Sequence, residues 1–305
     1  MNNNFIHLHC HTEYSLLDGA LKIPALVKQC KDFDMPAIAI TDNANLYGAI
    51  DFYTTAKNNG LNPIIGCEVY LTDDISQKER ARDRLILLSK NYNGYQNLIE
   101  IVPISHLNGF YYKPRIDLNH LKKYADDLIA ISPGFQGPVA NLFKKGEFEK
   151  GEKTASTLQD IYHDNFYLGI QSLGLHYEDI IKEETISISK KLNIEIVATN
   201  DVYYCDKEDA HLRDILVCIQ TGKKIDDENS LKFQTQEKYL KSPQEMAELF
   251  KDIPEALSNT IKIAEQCRLK LDTEQVKLPK FECPDQKSSE QYLKELVYQG
   301  LALKY

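Results

Sequence analysis

The sequence predicts an α/β fold, a closed barrel of seven strands followed by a helical extension. Two observations carry this prediction. Short apolar, β-rich runs alternate with helical patterns through the first two thirds of the chain. In addition, runs such as Ala37-Ile38-Ala39-Ile40 are apolar at every position, as expected of strands buried on both faces of a parallel sheet. Seven such runs suggest a closed barrel, and barrels of this kind place their chemistry at the carboxyl ends of the strands.

In chain order, the strand candidates span residues 5–9, 37–41, 63–71, 84–89, 127–132, 166–170 and 195–199. Between them, helical spacing of apolar residues marks 23–33, 44–58, 95–105 and 179–191. After Cys205 the pattern becomes helical. Ser242-Pro243-Gln244-Glu245 reads as a capping box with proline at the first helical position. Helices are expected at 254–267 and 288–305, joined by an extended linker around Leu278-Pro279-Lys280-Phe281-Glu282-Cys283-Pro284. The last helix runs to the final residue, so the chain is expected to be truncated inside it.

Composition fits a folded protein: 43% hydrophobic residues, 18 Tyr and 11 Phe. With 36 Lys+Arg against 45 Asp+Glu, the net charge of −9 argues against a surface whose main task is to grip a nucleic-acid backbone. Seven scattered cysteines without a CxxC pair read as free cytosolic thiols. No signal peptide and no apolar run of about 20 residues is visible, so a cytoplasmic protein without a membrane span is expected.

The densest chemistry lies in His7-Leu8-His9-Cys10-His11. In extended chain, residues i, i+2 and i+4 share a face, and imidazole is the commonest ligand of zinc, iron and manganese. Gly19 permits a bend that could turn Asp18 back toward the histidines. A buried strand with hydrogen-bonded histidines is the plainer reading, but three imidazoles in five residues beside a carboxylate favour a metal. Further candidates follow at strand ends: Asp42 and Asn43, Glu68, His106, and Asn200-Asp201. Recurrence at one end of several strands points to one shared site. Cys10 and Cys67 flank the presumed ligands and are expected to face the core. His120, His163, His176 and His211 lack such partners and read as ordinary histidines. Lys113 and Arg115 could hold a phosphate or a DNA backbone, or simply be the cations of a rigid loop.

At these residues the sequence resembles the PHP (polymerase and histidinol phosphatase) domain that opens the alpha subunit of bacterial DNA polymerase III. The resemblance rests on FIHLHCHTEYSLLDGA, AITDNANLYGAIDFY, NPIIGCEVYL, SHLNGFYYKPRID and VATNDVYY, and extends into the tail through LPKF and SSEQYLKELVYQGL. It implies a distorted, TIM-like seven-stranded β/α barrel whose strand ends hold up to three divalent metals through nine ligands. Carried over, six positions are kept: His9, His11, Asp18, Glu68, His106 and Asp201. Three are lost, where Asn43 and Tyr203 replace histidines and Gly134 falls at a cysteine position. The implied site is incomplete, holding one or two divalent ions (Zn, Mn or Mg).

By the same resemblance, residues 1–205 form the barrel core, 206–280 its helical completion, and 281–305 a linker and the start of the polymerase palm. The parent reaction would be DNA-directed nucleotidyl transfer with Mg²⁺ held downstream, so this chain alone is not expected to polymerise DNA. Its expected partners are the remainder of the polymerase chain, a proofreading exonuclease subunit, and DNA with other replisome subunits through the parent. An active metal-dependent phosphoesterase or 3′–5′ exonuclease is the alternative.

Overall fold

The structure, a computed structural model, describes residues 5–80, 83–225, 235–272 and 281–304. After α1 (Ile23–Asp32), the run Ala37–Ile40 forms β1 and is buried at every position. Helix α2 (Ala49–Asn58) returns the chain to β2 (Asn62–Leu71), parallel to β1. Then β3 (Asp83–Ser89), α3 (Tyr92–Leu107), the short β4 (Arg115–Ile116) and α4 (Leu118–Lys123) lead to β5 (Leu128–Ser132). Helices α5 (Pro138–Phe143) and α6 (Phe148–Tyr162) precede β6 (Phe166–Ile170), and α7 (Glu178–Leu192) connects it to β7 (Glu195–Ala198). The order across the sheet is β1-β2-β3-β5-β6-β7, with β4 pairing β2.

Two expectations are corrected. The sheet is mixed, because β3 runs antiparallel to both β2 and β5. Among the described residues, no helix separates Leu71 from Asp83. A parallel return needs a crossover of about a dozen residues or more, whereas a short loop reverses the chain. Secondly, the first predicted strand is not one: residues 5–11 are extended but irregular. The seventh strand is instead β4, too short to stand out as a run.

Residues 5–11 nonetheless fill the gap between β1 and the chain beyond β7. The Ala39 and Thr41 amides donate to the His7 and Cys10 carbonyls at 3.1 and 2.8 Å. On the other side, the His11 amide donates to the Val202 carbonyl and the Val202 amide to that of His9, at 2.7 and 3.0 Å. Ile6 and Leu8 join the core inside the curled sheet with Ile64, Ile86, Ile131 and Val197. His9 and His11 also turn inward at its mouth. A strict two-residue alternation cannot point both Leu8 and His9 inward, which accounts for the irregularity. A second core, including Leu85, Leu87, Ala130, Leu98, Phe143 and Leu158, lies between sheet and helices.

Beyond the sheet, α8 (Ala210–Thr221), α9 (Pro243–Leu249) and α10 (Pro254–Gln266) follow, and the capping box at Ser242–Glu245 is fully formed. The chain divides into two compact units, residues 1–270 and 271–305. In the second, α11 (Ser289–Lys304) exposes Leu293, Val297 and Leu301 along one face. Part of the predicted linker, residues 278–280, lies outside the described residues. Among the described residues, no helix is long and apolar enough to cross a membrane.

Candidate metal centre

Four of the predicted ligands converge. Nε2 of His9 and His11, Oε2 of Glu68 and Oδ1 of Asp201 all lie within 4.8 Å of one another. The two Nε2 atoms are 3.1 Å apart; His9 is 2.7 Å from Glu68, and His11 is 3.1 Å from Asp201. Three kinds of support place them. Glu68 stands on the inward face of β2, and the two histidines are held by the ladder described above. Asp201 follows β7 with a positive φ of 50°, a left-handed conformation that Asp tolerates better than most residues. All four are buried, none more than 4% exposed.

The donor set suits a divalent cation. Ser15 Oγ donates to Asp42 Oδ1 at 2.7 Å, leaving its lone pairs for the Asn43 amide and for Nδ1 of His11 at 3.4 Å. That chain favours the proton of His11 on Nδ1 and leaves a bare Nε2 facing a carboxylate oxygen, the arrangement a metal-ligating histidine uses. Asp42 also takes Thr12 N and Oγ1 at 2.6 and 2.7 Å, so it orients the loop rather than the cluster. Burial raises the Asp42 carboxyl above its usual range against these hydrogen bonds.

Burial alone would neutralise the cluster carboxylates, but neighbouring positive charges prevail. Glu68 is held down at about 2, chiefly by Arg84, whose Nη1 donates to Oε1 at 2.7 Å. Asp201 is held well below the usual range, chiefly by Lys238 on its Oδ2. Both carboxylates therefore stay ionised, each with one oxygen turned to the cluster.

The other predicted positions are placed elsewhere. Asp18 accepts from Arg213 Nε and Nη2 at 3.0 and 2.8 Å and from Asn43 Nδ2 at 3.2 Å. His106 gives Nε2 to the Ala44 carbonyl at 2.8 Å. With Lys113, Tyr47 and Tyr70, residues Asp18, Asn43 and His106 line a separate pocket of about 200 Å³. Gly19 does make the predicted bend, since a Cβ there would lie 2.0 Å from the Thr12 carbonyl oxygen, but the bend delivers Asp18 to Arg213. Gly134 packs against β6 so tightly that a Cβ would sit 2.8 Å from Gly169 O, leaving no room for a ligand side chain.

Tyr203 is fully buried and stacked on His11; burial and then the Asp201 and Asp18 charges push its hydroxyl well above the usual range, so it stays protonated. Arg115 is engaged within the fold. Its guanidinium is buried and donates to the carbonyls of Gly109, Gln77, Glu79 and Ile75 at 2.6–2.9 Å, so it is a tie for the 75–79 loop. Lys113 stands over the Tyr70 ring. Cys10 and Cys67 are buried.

A sequence model of the PHP domain matches residues 7–173, more than half of the chain. The chain belongs to the PHP domain family. Similar curated proteins are DNA polymerase III alpha subunits. That of Borreliella burgdorferi is 42% identical over 99% of this chain and 27% of its own length. That of Helicobacter pylori strain 26695 is 43% identical over 89% of this chain and 24% of its own. That of Treponema pallidum is 37% identical over 99% and 26%. This PHP-domain chain thus spans about a quarter of the length of the relatives it matches. Among solved structures, a two-domain protein from Bacteroides vulgatus containing a predicted PHP-like metal-dependent phosphoesterase is similar at 10% identity and a TM-score of 0.41, over 88% of this chain and 71% of its own.

Sequence reasoning missed Arg84, Lys238 and Arg213, the cations around this PHP centre. Arg84 left a faint signal, as a lone cation two residues before Ile86 on the inward face of an apolar strand. Lys238 and Arg213 left none, because only the tertiary fold brings them to Asp201 and Asp18.

Proposed function

We propose that this chain acts as the N-terminal PHP module of a replicative DNA polymerase, the DNA polymerase III alpha subunit. In this reading the cluster holds one divalent cation as a buried structural centre. His9, His11, Glu68 and Asp201 would hold it, and two nitrogens with two carboxylate oxygens suit Zn²⁺ or Mn²⁺ better than Mg²⁺. Such an ion supplies charge between groups that otherwise turn lone pairs on each other. The observation that carries the reading is the likeness to polymerase alpha subunits along 99% of the chain. Residues 1–205 and 206–280 would then form barrel and completion, and 281–305 the passage into the palm. The partners proposed are the remainder of the polymerase chain and a docked proofreading exonuclease subunit, with DNA and other replisome subunits reached through the parent in the cytoplasm.

Metal analysis of the purified chain tests this reading. About one bound Zn²⁺ or Mn²⁺ per chain is expected; three ions per chain would overturn it. The retained ligands favour a second reading, an active phosphoesterase or 3′–5′ exonuclease. The near-complete burial of all four ligands weighs against it, because a phosphoester must reach the ion to be hydrolysed. Cleavage of DNA with Mn²⁺ or Zn²⁺ that disappears in Asp201→Asn would establish the enzyme and displace the purely structural role.

A further inference from the structure

The carboxylates at this mouth are already balanced by fixed charges. Glu68 gives Oε2 to the cluster and Oε1 to Arg84. Asp201 gives Oδ1 to the cluster and Oδ2 to Lys238. Asp18 receives both Nε and Nη2 of Arg213. The three cations meet around Tyr203. Arg213 Cζ lies 3.3 Å from its ring centre, Arg84 Nη1 3.3 Å from its hydroxyl, and Lys238 Nζ 5.1 Å from the ring.

Three carboxylates therefore face three side-chain cations before any ion is bound. A further ion beside the first would have to use the outer oxygens of Glu68 or Asp201, or Asp18. Each of these is engaged by a cation, and two positive charges a few ångströms apart in a buried place repel strongly. We propose that Arg84, Lys238 and Arg213 are counter-cations that occupy the places of additional metal ions, limiting this centre to one ion and weakening its hold on that ion. The proposal rests on the one-ion reading above. It adds that the limit is set by charge, and not only by missing ligands.

The test titrates Zn²⁺ or Mn²⁺ into the metal-stripped chain by calorimetry, with bound metal counted after desalting. Lys238→Met and Arg84→Gln remove one charge each, Arg84→Lys keeps it, and Lys262→Met removes an exposed lysine that pairs with Glu195 away from the cluster. Near-UV circular dichroism checks that each variant is folded, and Arg84→Gln serves if Lys238→Met is not. The expected result is one weakly held ion in the parent, and tenfold or tighter binding or a second ion in Lys238→Met or Arg84→Gln. Arg84→Lys and Lys262→Met should match the parent. An ion appearing only in the charge-removing variants would uphold the counter-cations while refuting the one-ion reading of the parent. One ion of unchanged affinity throughout would overturn the counter-cations alone. No ion in any variant would overturn both.

Discussion

Tyr203 lies flat against His11, their ring centroids 4.3 Å apart and their planes 17° from parallel. Its far face meets the Arg213 guanidinium, and its hydroxyl meets Arg84. The tyrosine therefore wedges the first histidine motif against the surrounding cations, at a position where the family resemblance places a metal ligand. Tyr203→Ala would leave a cavity beside the cluster, and an expected loss of about 3–5 kcal/mol follows. Tyr203→Phe removes only the hydroxyl and should cost about 1 kcal/mol. Urea unfolding of the two variants checks the ratio; equal losses would contradict the wedge.

Gly134 makes a complementary prediction. Restoring a cysteine there should not rebuild a ligand, because its Cβ would meet Gly169 O at 2.8 Å and Gln171 N at 3.0 Å, both backbone atoms. Gly134→Cys is expected to lower stability by about 1–3 kcal/mol and to add no bound metal. A stable variant with an extra ion would show that β5 and β6 separate more readily than their packing implies.

Arg115 ties the carbonyls of Ile75, Gln77 and Glu79 to that of Gly109. Arg115→Met should cost on the order of 2–3 kcal/mol and speed amide hydrogen exchange across 75–79. If Arg115 instead served a phosphate, the variant would lose anion or DNA binding with its stability intact, the opposite pattern.

The strands with unbroken apolar runs and the capping box at Ser242 could be read directly from the sequence, because each depends on neighbours a few residues away. Residues 5–9 misread as a regular strand because Leu8 and His9 both turn inward, which only the closure between β1 and Val202 requires. The direction of β3 depended on a loop too short for a crossover, a weaker mark than composition. At the site, residue type alone found His9, His11, Glu68 and Asp201. It did not separate them from Asp18 and His106, because that division follows from which partner each reaches: Arg213 for Asp18 and the Ala44 carbonyl for His106. The counter-cations lie far from their carboxylates in sequence, and their role exists only in the fold.

Lys144 offers a pH-dependent test away from the cluster ligands. Its ammonium stands 3.5 Å from the Phe135 ring centre and donates to Asn141 Oδ1 at 3.2 Å. Burial lowers its pKa from 10.5 to about 8, with Asp83 opposing the shift and Lys238 adding to it. Because the folded value is the lower one, the unfolded chain binds more protons between pH 8 and 10.5. This lysine's contribution to stability therefore rises as pH climbs through that window, and below it the buried charge is a standing cost. Lys144 is partly exposed, so solvent screening reduces that cost to about 1 kcal/mol. At pH 7, Lys144→Met should be more stable than the parent by about that amount, and the advantage should vanish by pH 10.5. Urea unfolding of both proteins across the range isolates the lysine, since other alkaline titrations cancel in the difference. An advantage that stays constant with pH would mean that the methionine gains by packing and that Lys144 titrates like an exposed lysine.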